Sequence, residues 1–217
     1  MHNECFPKKG IDVLKRLKPI IKTRRFILAG ETAAAIQIGH RISEDLDFFA
    51  AQSFSTDEIL NEIKQQKLNF SLLQEEQNTL TSIIENTKVS LFCYPYPFIE
   101  KYVSWQGISV ASLTDIASMK VIAISQRGAK RDFVDMYFIL RSIPFWRIAD
   151  NMIQRFGTAR INPVHIGKSL VYFHDAEVDP DPHYCLGYET NWQAIKVFFI
   201  NHVQQLVIDL QRAKETG

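Results

Sequence analysis

The stretch that most constrains this chain is residues 26–49, FILAGETAAAIQIGHRISEDLDFF. A short apolar run, Phe26-Ile27-Leu28-Ala29, stops at Gly30, as a buried strand does when it enters a tight turn. Residues 32–38 are alanine-rich and read as a helix, with Thr32 as its cap and Gly39 as its stop. A second short strand is expected at residues 46–49. Side chains two apart on a strand share a face, so Asp45 and Asp47 present two carboxylates side by side. Adjacent carboxylates repel and are costly to half-bury, and a divalent cation removes that cost. Mg²⁺ takes a few carboxylates together with phosphate oxygens and water. Gly30 allows close backbone approach to a ligand, and the helix behind it aims N–H groups at an anion. A phosphate cradle beside a carboxylate pair is what metal-dependent phosphoryl or nucleotidyl transfer requires. Many surface strands carry a D-x-D; here Phe48-Phe49 directly behind Asp47 argues against a merely solvated pair.

A second chemically loaded stretch is residues 115–140, DIASMKVIAISQRGAKRDFVDMYFIL. Lys120 lies inside an otherwise apolar helix. It reads either as a lysine snorkelling at the helix edge or as one directed at a nucleotide phosphate. Asp132 and Asp135 are three apart and share a helix face. They read either as an ion-paired set with Arg127, Lys130 or Arg131, or as functional acids. Arg127, Lys130 and Arg131 form the obvious basic cluster for any RNA contact.

Around these stretches the chain is expected to be mixed α/β first and helical afterwards. Residues 11–23 have helical spacing, with Pro19 kinking or ending the helix. Residues 56–67 read as an exposed amphipathic helix capped by Thr56. Residues 68–73, 80–85 and 89–94 read as an antiparallel meander. Ser112-Leu113-Thr114-Asp115 resembles a capping box and opens a run of helices over 115–126, 132–142, 144–155 and 189–213. The expected class is α+β: a small mixed sheet with flanking helices over residues 1–111, then a helical half over 112–217.

Taken together, GETAAAIQIGHRISEDLDFF and MKVIAISQRGAKRDFVDMYFIL resemble the two signature regions of the nucleotidyltransferase AbiEii/AbiGii toxin family. The likeness extends to the YPYP segment, the VYFHDAEVDPDP loop and the tryptophan-bearing last helix. It implies a nucleotidyltransferase-like fold and transfer of a nucleoside monophosphate from an NTP with Mg²⁺ or Mn²⁺. It also implies an RNA acceptor such as tRNA, and a bacterial toxin–antitoxin or abortive-infection role with a cognate antitoxin. By position, Asp45 and Asp47 match the metal pair, and Gly30 and Thr32 match the phosphate turn. Arg41 and Ser43 match the polar loop before the pair, and Lys120 and Asp132 the later basic and acidic motifs, with Asp135 as the rival to Asp132. Glu31 stands where the family pattern carries glycine. It reads as a group pointing away, a metal ligand or a selectivity device. It also motivates two other readings: a catalytically weakened module that binds nucleotide, RNA or antitoxin, and kinase-like use of the same pocket.

Charge and cysteine usage remove other classes. Twenty-five basic residues face twenty-four acidic ones among 217, which argues against non-specific coating of nucleic acid. Cys5, Cys93 and Cys185 are odd in number and lack any CxxC, so free, mostly buried thiols in a reducing cytoplasm are expected. No apolar stretch reaches membrane-spanning length, and the N-terminus has no signal-peptide pattern. Gly167-Lys168-Ser169 fails as a P-loop because Asn162 stands where its first glycine belongs. The acidic loop over residues 174–183 fails as an EF-hand at Pro180 and reads as a solvated, proline-stiffened loop. No Ser/His/Asp or Cys/His arrangement has supporting context. His40 reads as a hydrogen-bonded structural residue as readily as one that orients substrate.

Overall fold

The computed structural model describes all 217 residues. The chain divides into two compact units. One comprises residues 1–97 and 101–111, the other residues 98–100 and 112–217.

The first unit is built on a mixed seven-stranded sheet. Its strands are β1 (Ile27–Ala29), β2 (Leu46–Ala50), β3 (Phe70–Glu76), β4 (Thr79–Ile84), β5 (Thr87–Cys93), β6 (Val103–Trp105) and β7 (Ile108–Val110). Their order is β3-β4-β5-β2-β1-β7-β6. β2 runs parallel to β5 and β1 parallel to β7, and the remaining pairs are antiparallel. The expected meander is present as β3, β4 and β5. The β6–β7 ribbon was not anticipated: its three-residue strands are too short to show alternation. Its signal is the Gln106-Gly107 turn, where both residues have positive φ (49° and 75°), the geometry that matches strand twist in a two-residue hairpin. Helices α1 (Lys8–Thr23), α2 (Gly30–Ile38) and α3 (Thr56–Gln65) flank the sheet.

Three local expectations change. Pro19 does not end α1, which continues to Thr23 because Ile20 and Ile21 beyond it are buried. Pro19 itself is exposed. The cap of α3 is Ser55, whose hydroxyl accepts from the Glu58 N–H, so the cap lies one residue earlier than Thr56. Thr32 does not cap α2. That helix starts at Gly30 behind extended Ala29, and Thr32 is buried inside its first turn.

The second unit is helical: α4 (Leu113–Arg127), α5 (Lys130–Leu140), α6 (Phe145–Phe156), α7 (Pro163–Leu170), α8 (His174–Glu177) and α9 (Trp192–Thr216). α7 and α8 were not anticipated: α8 has only four residues, and the buried face of α7 is made by Pro163, Ile166, Gly167 and Leu170, two of which are helix breakers in sequence. Phe133 anchors the core, with its ring 5.2–5.8 Å from those of Phe173, Trp192 and Phe199. None of its helices, nor any in the first unit, is long and apolar enough to cross a membrane. The three cysteines are free, but only Cys5 is buried; Cys93 and Cys185 are half-exposed.

The start of α4 carries a buried polar hub. Ser112 caps the helix by accepting from the Asp115 N–H (3.0 Å). The Asp115 carboxylate does not return to Ser112 N–H as a full capping box would. It accepts from the N–H groups of Ile99 (2.9 Å) and Glu100 (3.1 Å), from Ser112 Oγ and from Asn151 Nδ2, and faces Arg155 at 3.4 Å. The Arg155 guanidinium also lies 4.5 Å from the Phe98 ring centre. The segment at 98–100 is thus bound into the second unit. Truncating one member of a buried ion pair leaves an uncompensated charge. Asp115→Ala should therefore lower unfolding free energy by about 3–5 kcal/mol, read by urea denaturation.

Candidate active site

The sheet brings Gly30 and Asp47 together. β1 and β2 pair with Ala29 opposite Asp47, so the turn after β1 lies against the Asp47 side chain. Gly30 has φ +71°, and a Cβ there would stand 3.0 Å from Asp47 Oδ2. Both the left-handed backbone and the close carboxylate favour glycine. β2 and β5 pair in parallel with Asp47 opposite Ser90, and Ser90 hydrogen-bonds the Asp47 carboxylate. Asp45 precedes the strand, and its carboxylate lies 3.5 Å from Lys88 Nζ on β5. Lys88 and Ser90 were missed by sequence reasoning because only the β2–β5 pairing places them here.

The remaining residues of the first stretch are tied to one another. The Thr32 hydroxyl reaches Ser43 Oγ (2.8 Å) and the Asp45 carbonyl, clamping the start of α2 to the loop that delivers the carboxylates. Thr32 and Ser43 are both buried. Glu31 pairs with Arg41 at 3.1 Å, and Arg41 is only 4% exposed. The substituted glutamate therefore has its charge met by the arginine of the same polar loop. His40 is fully buried.

Asp47 is the electrostatic focus. Burial pushes its carboxyl above the usual aspartate range, and the charges of Glu31 and Asp45 push it further. Lys88 and the Ser90 hydrogen bond oppose this without cancelling it. A divalent cation beside Asp45 and Asp47 would reverse that cost. No group of three or more His, Cys, Asp or Glu side chains converges as a complete protein cage. Two carboxylates are oxygen donors of the kind that hard divalent cations share with phosphate and water.

The second stretch forms its own cluster within the helical unit. Lys120 Nζ lies 2.7 Å from Asp132 Oδ1 and 2.7 Å from Asp135 Oδ2, and all three are buried. Lys120 is not a snorkelling lysine: the i, i+3 carboxylates on α5 enclose it. Arg127 Nε adds a bond to Asp132 at 2.9 Å. Burial pushes Asp132 up, but Lys120 and Arg127 outweigh it and hold the carboxyl below its usual range.

Of the basic cluster, Arg127 and Arg131 are exposed and Lys130 is not. Lys130 is buried: its backbone N–H donates to Asp179 Oδ2 (2.9 Å), its Nζ lies 3.1 Å from Asp181 Oδ1, and the same Nζ sits 5.6 Å from the Trp192 ring centre. Part of the acidic loop over 174–183 is thus an anchor for α5 rather than a freely solvated segment, and α8 occupies its first turn.

The raised Asp47 carboxyl has a definite pH signature. Its pKa is higher folded than unfolded, so its stabilising contribution is complete at low pH and is lost as pH rises through the raised pKa. Asp47→Asn should melt higher than wild type at neutral pH in metal-free buffer, with the gap closing as pH falls into the usual aspartate range. Thermal melts of both proteins across acid pH check this. Asp132 acts in the opposite sense: its contribution is present above the ordinary aspartate range and fades as pH falls through its lowered pKa.

Known proteins share this architecture. MenT4, a nucleotidyltransferase toxin of Mycobacterium tuberculosis H37Rv, superposes with TM-score 0.60 at 16% identity, over 94% of this chain and 86% of that one. A candidate nucleotidyltransferase of H. pylori superposes with TM-score 0.56 at 16% identity, over 95% and 98%. An uncharacterized protein of Aquifex aeolicus (strain VF5) is 35% identical over 208 residues, 91% of this chain and 96% of that protein. The family profile described as nucleotidyl transferase AbiEii toxin, type IV toxin–antitoxin system, matches residues 96–211. The chain belongs to the AbiEii family of nucleotidyltransferase toxins.

Proposed function

We propose that this protein transfers a nucleoside monophosphate from an NTP to an RNA acceptor, tRNA being the family's implied one. The observation that carries this reading is Gly30 closing on Asp47, with Asp45 alongside: a cradle for phosphate next to a carboxylate pair short of positive charge. Asp45 and Asp47 would hold Mg²⁺ or Mn²⁺, which when bound supplies charge neutralisation at the triphosphate. The N–H groups at the start of α2 bind phosphate, and Thr32 and Ser43 fix the loop that aims the carboxylates. In the transfer an acceptor hydroxyl oxygen bonds to the α-phosphorus, the bond to the bridging oxygen breaks, and pyrophosphate leaves. The hydroxyl proton passes to a base or to solvent.

In the helical unit the same reading gives Lys120 the family's basic motif and Asp132 its acidic one. Asp132 is held ionised against Lys120, which suits orienting the lysine better than accepting a proton. Asp135, also 2.7 Å from Lys120, shares that work. A cytoplasmic setting, a cognate antitoxin and a part in phage defence complete the proposal.

The test is transfer of label from each α-³²P NTP to total bacterial RNA in Mg²⁺. Wild type should label RNA from a preferred NTP, and Asp47→Ala should label none while remaining folded. Full labelling by Asp47→Ala would remove the assignment. Added Mg²⁺ or Mn²⁺ should raise the melting temperature of wild type but not of Asp47→Ala. Label transferred from the γ- rather than the α-position would instead establish kinase-like chemistry.

Glu31 favours a second reading, a member that binds nucleotide or partner with little turnover. Its charge adds to the field that raises Asp47 and opposes a triphosphate. Under that reading Glu31→Gly tightens NTP binding by about tenfold, the effect of roughly 1.4 kcal/mol of relieved repulsion. Calorimetry on the two proteins decides, and equal affinities would set the second reading aside.

A further inference from the structure

The transfer reading makes no use of the cavity at the junction of α4 and α7. It measures about 280 Å³ and is bordered by Ser125, Arg127, His165, Lys168, Tyr172 and Asp175. Every one of these residues belongs to the helical unit. Lys168 and His165 are exposed on α7. The Arg127 side chain is half-exposed even while it bonds Asp132. Tyr172 is 55% exposed, so an aromatic ring open to solvent stands at the cavity.

α7 is fixed in place for this. Gly167 leaves room for Val207 of α9, where a Cβ would collide with its Cγ2 methyl. Asn162 caps the helix through the His165 N–H at 3.1 Å. The glycine of Gly167-Lys168-Ser169 is thus a packing device, and the lysine after it projects to solvent.

The geometry points to a binding site for a segment of single-stranded RNA in this cavity, with a base stacked on Tyr172 and phosphates at Lys168 and Arg127. Exposed aromatic faces interleaved with cations are the chemistry that holds unpaired nucleotides. A duplex keeps its base faces hidden and offers this cavity only its backbone. Asp175 would repel phosphate, so the backbone is confined to the Lys168 side. Asp175 also supplies an acceptor for a base amine or a 2′-hydroxyl. The site rests on the reading of the chain as acting on RNA and assigns part of that contact.

The experiment measures binding of a labelled single-stranded RNA oligonucleotide to the full chain without NTP, by fluorescence anisotropy over a range of salt. Tyr172→Ala should weaken binding about tenfold. Lys168→Gln should reduce the slope of log K against log salt by about 0.7. Melting temperatures should be unchanged for the two surface variants. Wild-type affinity and slope in both surface variants would overturn the site, as would absence of binding by wild type or equal affinity for a duplex of the same sequence. The transfer assay is independent: label in RNA with unaltered variant binding sinks the site alone, while variant-sensitive binding without label sinks the transfer reading and leaves the site.

Discussion

Asp47 is held largely out of water with two further carboxylates, Glu31 and Asp45, raising its pKa and only Lys88 and Ser90 opposing them. The arrangement of the first unit serves this placement. The β1–β2 register sets Asp47 opposite the last residue before the turn, and the parallel β2–β5 pairing brings Ser90 and Lys88 alongside. Gly30 supplies the left-handed backbone and the small size that the turn against Asp47 favours. A fold selected for stability alone would replace such a carboxylate with an apolar side chain. The retained cost is what the cation of the proposed transfer reaction would offset.

The helical unit treats the same residue type in the opposite way. Asp115 accepts from two backbone N–H groups, a hydroxyl and an amide while facing Arg155. Asp132 and Asp135 share Lys120, and Arg127 closes on Asp132. Buried carboxylates here have near neighbours of opposite charge or good donors, so Asp132 stays ionised despite its burial. The two units differ in electrostatic character as much as in secondary structure.

Much of this was legible because it is local. The apolar run into Gly30, the alanine-rich helix and the D-x-D before two phenylalanines depend on neighbours within a turn or a strand. The capping box at Ser112 was half readable: the hydroxyl-to-N–H bond formed, but the destination of the Asp115 carboxylate depends on residues 98–100 and on α6. Lys120 shows the same limit. Its spacing marked it as unusual, and only the packing of α5 on α4 shows that Asp132 and Asp135 surround it. Lys130 misled because a basic residue next to Arg131 and Asp132 in a charged run reads as surface, whereas Trp192 and Asp181, far along the chain, take it inside. Thr32, too, looked like a cap, and became a clamp because the returning loop brings Ser43 to its hydroxyl.

The three residues 98–100 alter what it means to divide this chain. They lie between strands β5 and β6 of the sheet unit, yet their N–H groups and the Phe98 ring are claimed by Asp115 and Arg155. A fragment begun at residue 112 loses two of the donors that make the Asp115 burial tolerable. One begun at residue 96, where the family match starts, keeps them but carries the β6–β7 ribbon without β1, with which β7 pairs. The halves are interlaced along the chain, so neither can be excised or exchanged with a relative by a single cut. Recombination within such a family is therefore constrained to swap whole chains, or to move both crossings together.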